Sequence, residues 1–334
     1  MSALRAGIIG LGVGERHIAG FRAHPACAVT ALADIDPAKR AMAAERYPDM
    51  ALHATAEALI DDPAIDVVAI ASYDETHAEQ VLRALERGKH VFVEKPLCQS
   101  AAELTRIQEA LARRPQLRLS SNLILRRAPR FRALKAKIEG GELGRLFHLE
   151  ADYNYGRIHK ILDGWRGKQD YYSVMLGGGV HVVDLLLWLA GERVVEVACF
   201  GNRIAAEGTG FRFDDMRVAI LRFQSGAVAK VAANFGCVFP HFHRLLVYGT
   251  AATFENGFDS GRIWRTRDTD AAPDHMHEAY PGAAKGDLIP SFIDAILDRG
   301  KAEIAERDVL DAMSVCLAID EAAERHAIVT PTYH

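Results

Sequence analysis

Short apolar runs separated by longer amphipathic stretches fill the first third of the chain. Ala6–Ile9, Val29–Ala33, Val67–Ala71 and Val91–Val93 read as strands. Val67–Ala71 is continuously apolar, as expected of a parallel strand covered on both faces. Helical patterns lie between them. One includes Ile18–Ala23, and one starts at Pro37 just after the possible cap Asp36. A third is capped by Asp74 or Thr76 and runs to about Arg87, where Gly88 stops it. A helix over Ala101–Arg113 and a strand over Leu117–Ser121 complete the alternation, which predicts a doubly wound parallel sheet.

The pattern changes after Asn122. A helix over Phe131–Glu139 ends at Gly140-Gly141, and a long strand pattern covers Arg145–Tyr155. Residues 156–179 are irregular, and a helix over His181–Leu189 stops at Gly191. Strand-like runs follow at Val194–Gly201, Met216–Phe223, Ala227–Phe235, Arg244–Gly249 and Ala252–Glu255, with hairpin turns such as Gln224-Ser225-Gly226. Two helices, over Ile289–Leu297 and Val309–Glu324, end the chain. This predicts an α/β Rossmann domain at 1–122, then an α+β domain at 123–334 built on an open, mostly antiparallel sheet for substrate binding and oligomerisation.

A chain of 334 residues can bury two such cores. A net charge of −4 argues against a nucleic-acid partner. Five scattered cysteines without a CxxC pair read as reduced thiols in a cytoplasmic protein. The apolar stretches are too short for a membrane span, and Ala6–Gly14 suits a strand better than a secretory signal.

Gly10, Gly12 and Gly14 lie where the first strand meets the first helix. Glycine there permits a tight turn and close approach of a pyrophosphate. The spacing departs from GxGxxG, because Glu15 holds the third position, and such a turn alone also serves ordinary β–α connections. Asp34 ends the second strand, where an acid accepts hydrogen bonds from the adenosine ribose and repels a 2′-phosphate. The residue after it is Ile35 rather than arginine, which favours NAD over NADP. Glu94-Lys95-Pro96 closes the strand Val91–Val93 and delivers an ammonium to its carboxyl end, where cofactor and substrate meet. Oxidising an alcohol needs a hydride acceptor and a base for the hydroxyl proton. Lys95 suits stabilisation of the oxygen. His181, in Gly177-Gly178-Gly179-Val180-His181-Val182-Val183-Asp184, suits the base, with Asp184 three residues on.

These residues, with His17, the turn from Tyr73 to His77 and Gly164-Trp165-Arg166, together resemble the glucose–fructose oxidoreductase / inositol dehydrogenase / MocA family over nearly the whole chain. The resemblance implies a Rossmann domain, an α+β domain and nicotinamide-dependent oxidation or reduction of a hydroxyl on a sugar, polyol or nucleotide-sugar. It implies Lys95 as the family lysine, His181 as the catalytic histidine and His77 near the nicotinamide end. The candidate cofactor set is Gly10, Gly12, Val13, Gly14, Asp34, Ser72, His77, Glu94 and Lys95. The candidate substrate set is Lys95, Asn122, Arg126, Tyr155, Trp165, Arg166, His181 and Asp184. Many relatives carry an aspartate four residues before the histidine, where this chain has Gly177, and proline where it has Tyr73. An acid beside the histidine is therefore absent or supplied by Asp184.

The aromatic and basic residues of 153–172 and the group Arg126, Arg127, Arg130 and Arg132 suit an anionic sugar, or equally an interface and solvated helix faces. His241/His243 and His275/His277 are spaced as metal pairs but lack further ligands, so no metal is expected. Two other activities fit: a lyase or hydrolase working through transient oxidation by NAD, and a non-catalytic NAD/sugar sensor. An open sheet predicts a homodimer or homotetramer.

Overall fold

The computed structural model describes residues 3–333, which divide into two compact units. The first is built on six parallel strands: β1 (Leu4–Ile9), β2 (Cys27–Ala33), β3 (Ala51–His53), β4 (Val67–Ile70), β5 (His90–Val93) and β6 (Leu119–Ser121). Their order is β3-β2-β1-β4-β5-β6, so the direction of winding reverses between β1 and β4. Ile8, Leu32, Val67–Ile70 and Val91–Val93 are buried on both faces, which is why these runs are continuously apolar. The helices are α1 (His17–Arg22), α2 (Pro37–Arg46), α3 (Ala56–Ile60), α4 (His77–Glu86) and α5 (Ala101–Ala112).

The starts of these helices follow from side-chain chemistry. The Asp36 side chain accepts from Ala38 N (2.9 Å) with Pro37 in the first turn. Ser100 and Glu103 form a reciprocal capping box ahead of α5, a signature available in the sequence but not read there. β3 and α3 are also additions to the sequence reading, because they are too short to carry a periodic signal.

The units depart from a division at residue 122. Residues 284–310, expected in the second domain, pack within the first unit. Phe292 of α9 (Ile289–Ile296) meets Phe92 of β5 at 5.8 Å. Ser120 Oγ donates to Ile304 O (2.9 Å). A Cβ on Gly20 of α1 would lie 2.4 Å from Gly286 O, so glycine is required for that approach. Sequence order hides this return, because the contacts join residues 184 to 266 positions apart.

The second unit comprises residues 125–283 and 311–333. Its helices are α6 (Pro129–Glu139), α7 (His159–Leu162), α8 (Val180–Ala190) and most of α10 (Glu306–Arg325). The eight strands are β7 (Leu146–Asn154), β8 (Val194–Asn202), β9 (Met216–Phe223), β10 (Val228–Asn234), β11 (Phe242–Gly249), β12 (Thr253–Asn256), β13 (Gly261–Trp264) and β14 (Asp274–Met276). They run in the order β14-β13-β12-β11-β7-β10-β9-β8. All neighbours are antiparallel except β7 and β10. β13 and β14 are short and partly polar, and the sequence reading lacked them.

Alternation separates the sheet's faces. Leu149, Ala151, Leu221, Val231, Leu245 and Val247 are buried on one. The other exposes Phe200, Ile220 and Trp264, with Lys230 paired to Asp152 at 2.7 Å and Arg244 3.6 Å from the same carboxylate. The segment 156–179, expected to be irregular, contains α7, a 3-10 turn at Trp165–Lys168 and a π-helical turn at Met175–Gly179. The five cysteines are unbridged. Among the described residues no helix is long and apolar enough to cross a membrane.

Candidate active site

The glycines after β1 have three different physical reasons. Gly10 has φ +85°, and a Cβ there would lie 2.3 Å from Ala71 O, so only glycine fits. Gly14 is buried where a Cβ would crowd Ile8 and Ala71 at 3.1 Å, which makes it the close-packing glycine despite arriving one residue early. Glu15, in the usual third position, turns away to bond Arg46 and the Tyr47 hydroxyl. At Gly12 a Cβ would meet only Lys39 Nζ at 3.9 Å, so the outer surface of the turn is open beside the exposed Val13.

Asp34 is 7 % exposed at the end of β2. Its carboxylate accepts from Leu11 N (2.7 Å) and Asp36 N (2.9 Å), with Lys39 Nζ at 3.5 Å. The acid therefore fastens the glycine turn as well as presenting negative charge beside it. Lys39 is a cation that the sequence reading missed. Arg40, next to it, is held by the carbonyls of Asp34 and Ile35. An open Gly12 and an ionisable acid at the end of β2 fit a dinucleotide.

The turns after β4 and β5 are stitched together. His77 Nδ1 lies 2.7 Å from Pro96 O, and its Nε2 lies 3.3 Å from Ser72 O. Ser72 Oγ donates to Gln80 (2.7 Å) and accepts from Thr76 (2.9 Å). Glu94 is a buried hub, whose Oε1 meets Asn122 Nδ2 (2.8 Å), His17 Nε2 (3.1 Å) and Lys285 Nζ (3.4 Å). Burial pushes this carboxyl upward, but the His17 hydrogen bond and the charges of Lys285 and Lys95 outweigh it and hold the group well below the usual carboxylate range. Lys95 follows at the carboxyl end of β5, half-buried, and the Lys95–Pro96 peptide is cis. The sequence offered no local signal for Lys285, which comes from the returning segment.

In the second unit the glycines before His181 are occupied by side chains rather than left open. A Cβ at Gly177 would lie 2.2 Å from Tyr172 Oη, one at Gly178 2.4 Å from Tyr153 Cε1, and one at Gly179 2.8 Å from Met175 Cε. His181, on α8, stacks on Tyr153 at 6.0 Å. Tyr153 also meets His241 (5.3 Å), His243 (5.2 Å) and Tyr155 (5.7 Å). Burial, with Arg157 nearby, lowers His241 to about 4. Burial, with His241 beside it, lowers His243 to about 3. Both are uncharged near neutral pH. Tyr280 Oη accepts from His243 N (3.0 Å) and lies 2.5 Å from His243 Nδ1. Among the described residues no group of three or more His, Cys, Asp or Glu is arranged for a metal.

The arginine group is largely engaged within the unit. Arg126 makes a buried two-point pair with Asp184, Nε–Oδ2 at 3.0 Å and Nη2–Oδ1 at 2.5 Å. Arg130 donates to Asn256 Oδ1 (2.9 Å) and Gly257 O (2.8 Å). Arg166 lies over its neighbour Trp165 at 4.5 Å, and Arg157 over Tyr155 at 5.3 Å. The sequence-derived candidates Gly10, Gly12, Val13, Gly14, Asp34, Ser72, His77, Glu94, Lys95 and Asn122 thus lie in the first unit. Arg126, Tyr155, Trp165, Arg166, His181 and Asp184 lie in the second.

A parallel sheet wound in this order, with a glycine turn after its first strand and an acid after its second, defines an NAD-binding oxidoreductase. Residues 4–122 match the family described as "Oxidoreductase family, NAD-binding Rossmann fold", and residues 131–255 match the GFO/IDH/MocA C-terminal domain. An inositol 2-dehydrogenase of Gluconacetobacter diazotrophicus is 31% identical over 248 residues, 73% of this chain and 71% of that one. One from Acidothermus cellulolyticus is 27% identical over 325 residues, 96% of this chain and 92% of that one. A levoglucosan dehydrogenase solved with NADH has the same fold, with a TM-score of 0.87 at 23% identity and full coverage of both chains. The chain belongs to the GFO/IDH/MocA oxidoreductase family. It is an NAD-dependent dehydrogenase acting on CH–OH groups.

Proposed function

We propose that this dehydrogenase acts on a neutral sugar or cyclic polyol of the inositol type, with His181 as the base and Lys95 as the cation at the reacting oxygen. The observation that carries the reading is the wall beside His181, made of Tyr153, Tyr155, His241 and His243. Aromatic faces suit the C–H face of a ring, and histidines held uncharged suit hydroxyl groups. Arg126 and Arg130 are engaged by Asp184 and by acceptors of 256–257, which favours a neutral substrate over an anionic one. The relatives named inositol 2-dehydrogenase point the same way.

Gly10, Gly12, Val13, Gly14 and Asp34 would hold the dinucleotide, with Ser72, His77 and Glu94 shaping the turns around its nicotinamide end. Bound NAD supplies the acceptor for the hydride leaving the carbinol carbon. His181 takes the hydroxyl proton as the C–O bond becomes a carbonyl, and the Lys95 ammonium lowers the energy of the developing alkoxide. Asn122, Trp165 and Arg166 would border the substrate, while Asp184 acts through its pair with Arg126. The sheet face bearing Phe200, Ile220 and Trp264 supports a homo-oligomer.

The test is reduced-nicotinamide absorbance with NAD and a panel of myo-inositol, scyllo-inositol, levoglucosan, a sugar phosphate and a nucleotide-sugar. Turnover is expected with a neutral member, with His181→Ala and Lys95→Met each losing about 100-fold or more in kcat while NAD binding persists. Turnover confined to the charged members would overturn the substrate class. An active His181→Ala enzyme would overturn the assignment of the base.

A further inference from the structure

His243 on β11 pairs directly with Tyr153 on β7. Residues opposite each other in an antiparallel ladder share a face, and these two rings meet at 5.2 Å. Tyr153 in turn stacks on His181 at 6.0 Å, so both histidines meet the same aromatic ring. His243 is 8 % exposed and held from two sides. Tyr280 Oη accepts from its backbone N (3.0 Å) and lies 2.5 Å from its Nδ1. Asn256 Nδ2 donates to its carbonyl (2.9 Å), while Asn256 Oδ1 accepts from Arg130 (2.9 Å).

The placement of one proton decides what this imidazole can do. Burial, with His241 beside it, lowers His243 to about 3, so near neutral pH the ring carries a single N–H. Burial pushes the Tyr280 phenol up, so its oxygen keeps a proton to donate. With the ring's proton on Nδ1, Oη would accept from both the amide and Nδ1, and its own hydrogen would meet no acceptor among the described residues. The reverse arrangement satisfies every group. The amide donates to Oη, Oη donates to Nδ1, and Nε2 carries the ring's proton. The phenol is fixed in place for this, with Phe131 and Phe242 against its ring at 5.1 and 5.4 Å and Arg130 over it at 5.5 Å.

We propose that His243 is a specificity-determining residue: with Nδ1 held as an acceptor by Tyr280, Nε2–H donates to a hydroxyl oxygen of the ring substrate. The proposal rests on the neutral sugar or polyol reading of this wall. Among the described residues no acceptor meets Nε2, which leaves that donor for a ligand. A hydroxyl oxygen accepts there and a C–H does not, so the site rejects an analogue lacking that hydroxyl. Tyr280 acts through the imidazole and is a positioning residue.

Nitrogen NMR of the histidine-labelled full chain, without cofactor or substrate, should show His243 protonated at Nε2. Tyr280→Phe should shift the Nδ1 resonance as it loses its donor. Kinetics use NAD and whichever of myo-inositol, scyllo-inositol and levoglucosan turns over fastest. His243→Asn should lower kcat/KM by about 10-fold, mostly through KM. His243→Gln, whose amide nitrogen can stand where Nε2 stood, should recover most of that loss. The natural chain should reject at least one analogue lacking a single hydroxyl by about 10-fold, and His243→Asn should not. Protonation of His243 at Nδ1 overturns the proposal whatever the substrate, as does an unchanged kcat/KM in His243→Asn. Equal losses in the Asn and Gln variants make His243 a packing residue and overturn it too. Turnover confined to a sugar phosphate or nucleotide-sugar overturns the neutral-substrate reading, and the proposal falls with it even if Nε2 is protonated.

Discussion

Glu94→Gln isolates the value of one buried charge. Two well-shielded donors, His17 and Asn122, and one about one-third exposed donor, Lys285, converge on Glu94 Oε1. A net contribution of about 1.5–3 kcal/mol is usual for a hydrogen bond to a charged group. The amide keeps a neutral bond to Asn122, and solvent screening leaves the Lys285 pair worth little. The expected loss is therefore about 2–3 kcal/mol, a fall in melting temperature of roughly 5–10 °C for a unit of this size.

The pH dependence follows from the sign of the shift. The folded carboxyl is held below its unfolded value, so its stabilisation is complete above the unfolded pKa of about 4.3 and is lost as pH falls through the depressed folded value. Urea denaturation of both proteins should give a constant gap from about pH 7 to 5, narrowing below that by up to about 1.4 kcal/mol per pH unit. Equal stability near pH 7 would refute the assignment of Glu94 as an ionised hub. So would a gap that does not narrow in acid.

Asp34→Ala removes the acceptor for Leu11 N and Asp36 N and the negative charge beside Lys39. Calorimetric titration should show NAD affinity reduced by about tenfold or more, with NADP gaining relative to NAD as Lys39 becomes available to a 2′-phosphate. Unchanged preference would remove Asp34 from the cofactor site. Asp320→Leu leaves the buried Arg217 without its Asp320 partner, while Ser173 and Tyr171 lose their acceptor, and should cost about 3–5 kcal/mol in urea denaturation. Adding Arg217→Met should restore much of that, so a double variant no better than the single one would refute the account.

The first unit was largely legible because its information is local. Continuous apolar runs gave the buried parallel strands, and Asp36-Pro37 marked the start of α2. Gly10 sits where a positive φ demands it, and Lys95 follows directly from the end of β5. The succession of strands and helices was also enough to separate a parallel sheet from an antiparallel one. Tertiary structure decided whatever depends on residues distant in the chain. It brought 284–310 back to the first unit, set Lys285 against Glu94 and paired β7 in parallel with β10. It also engaged Arg126 with Asp184, which in sequence had looked like a ligand for an anionic substrate and a candidate partner for His181. The glycines at 177–179 show the division most clearly. Their presence before a histidine was plain in the sequence, but what packs against them was not. Folding sets Tyr172, Tyr153 and Met175 there, because which side chain occupies a missing Cβ is a property of close packing rather than of residue order.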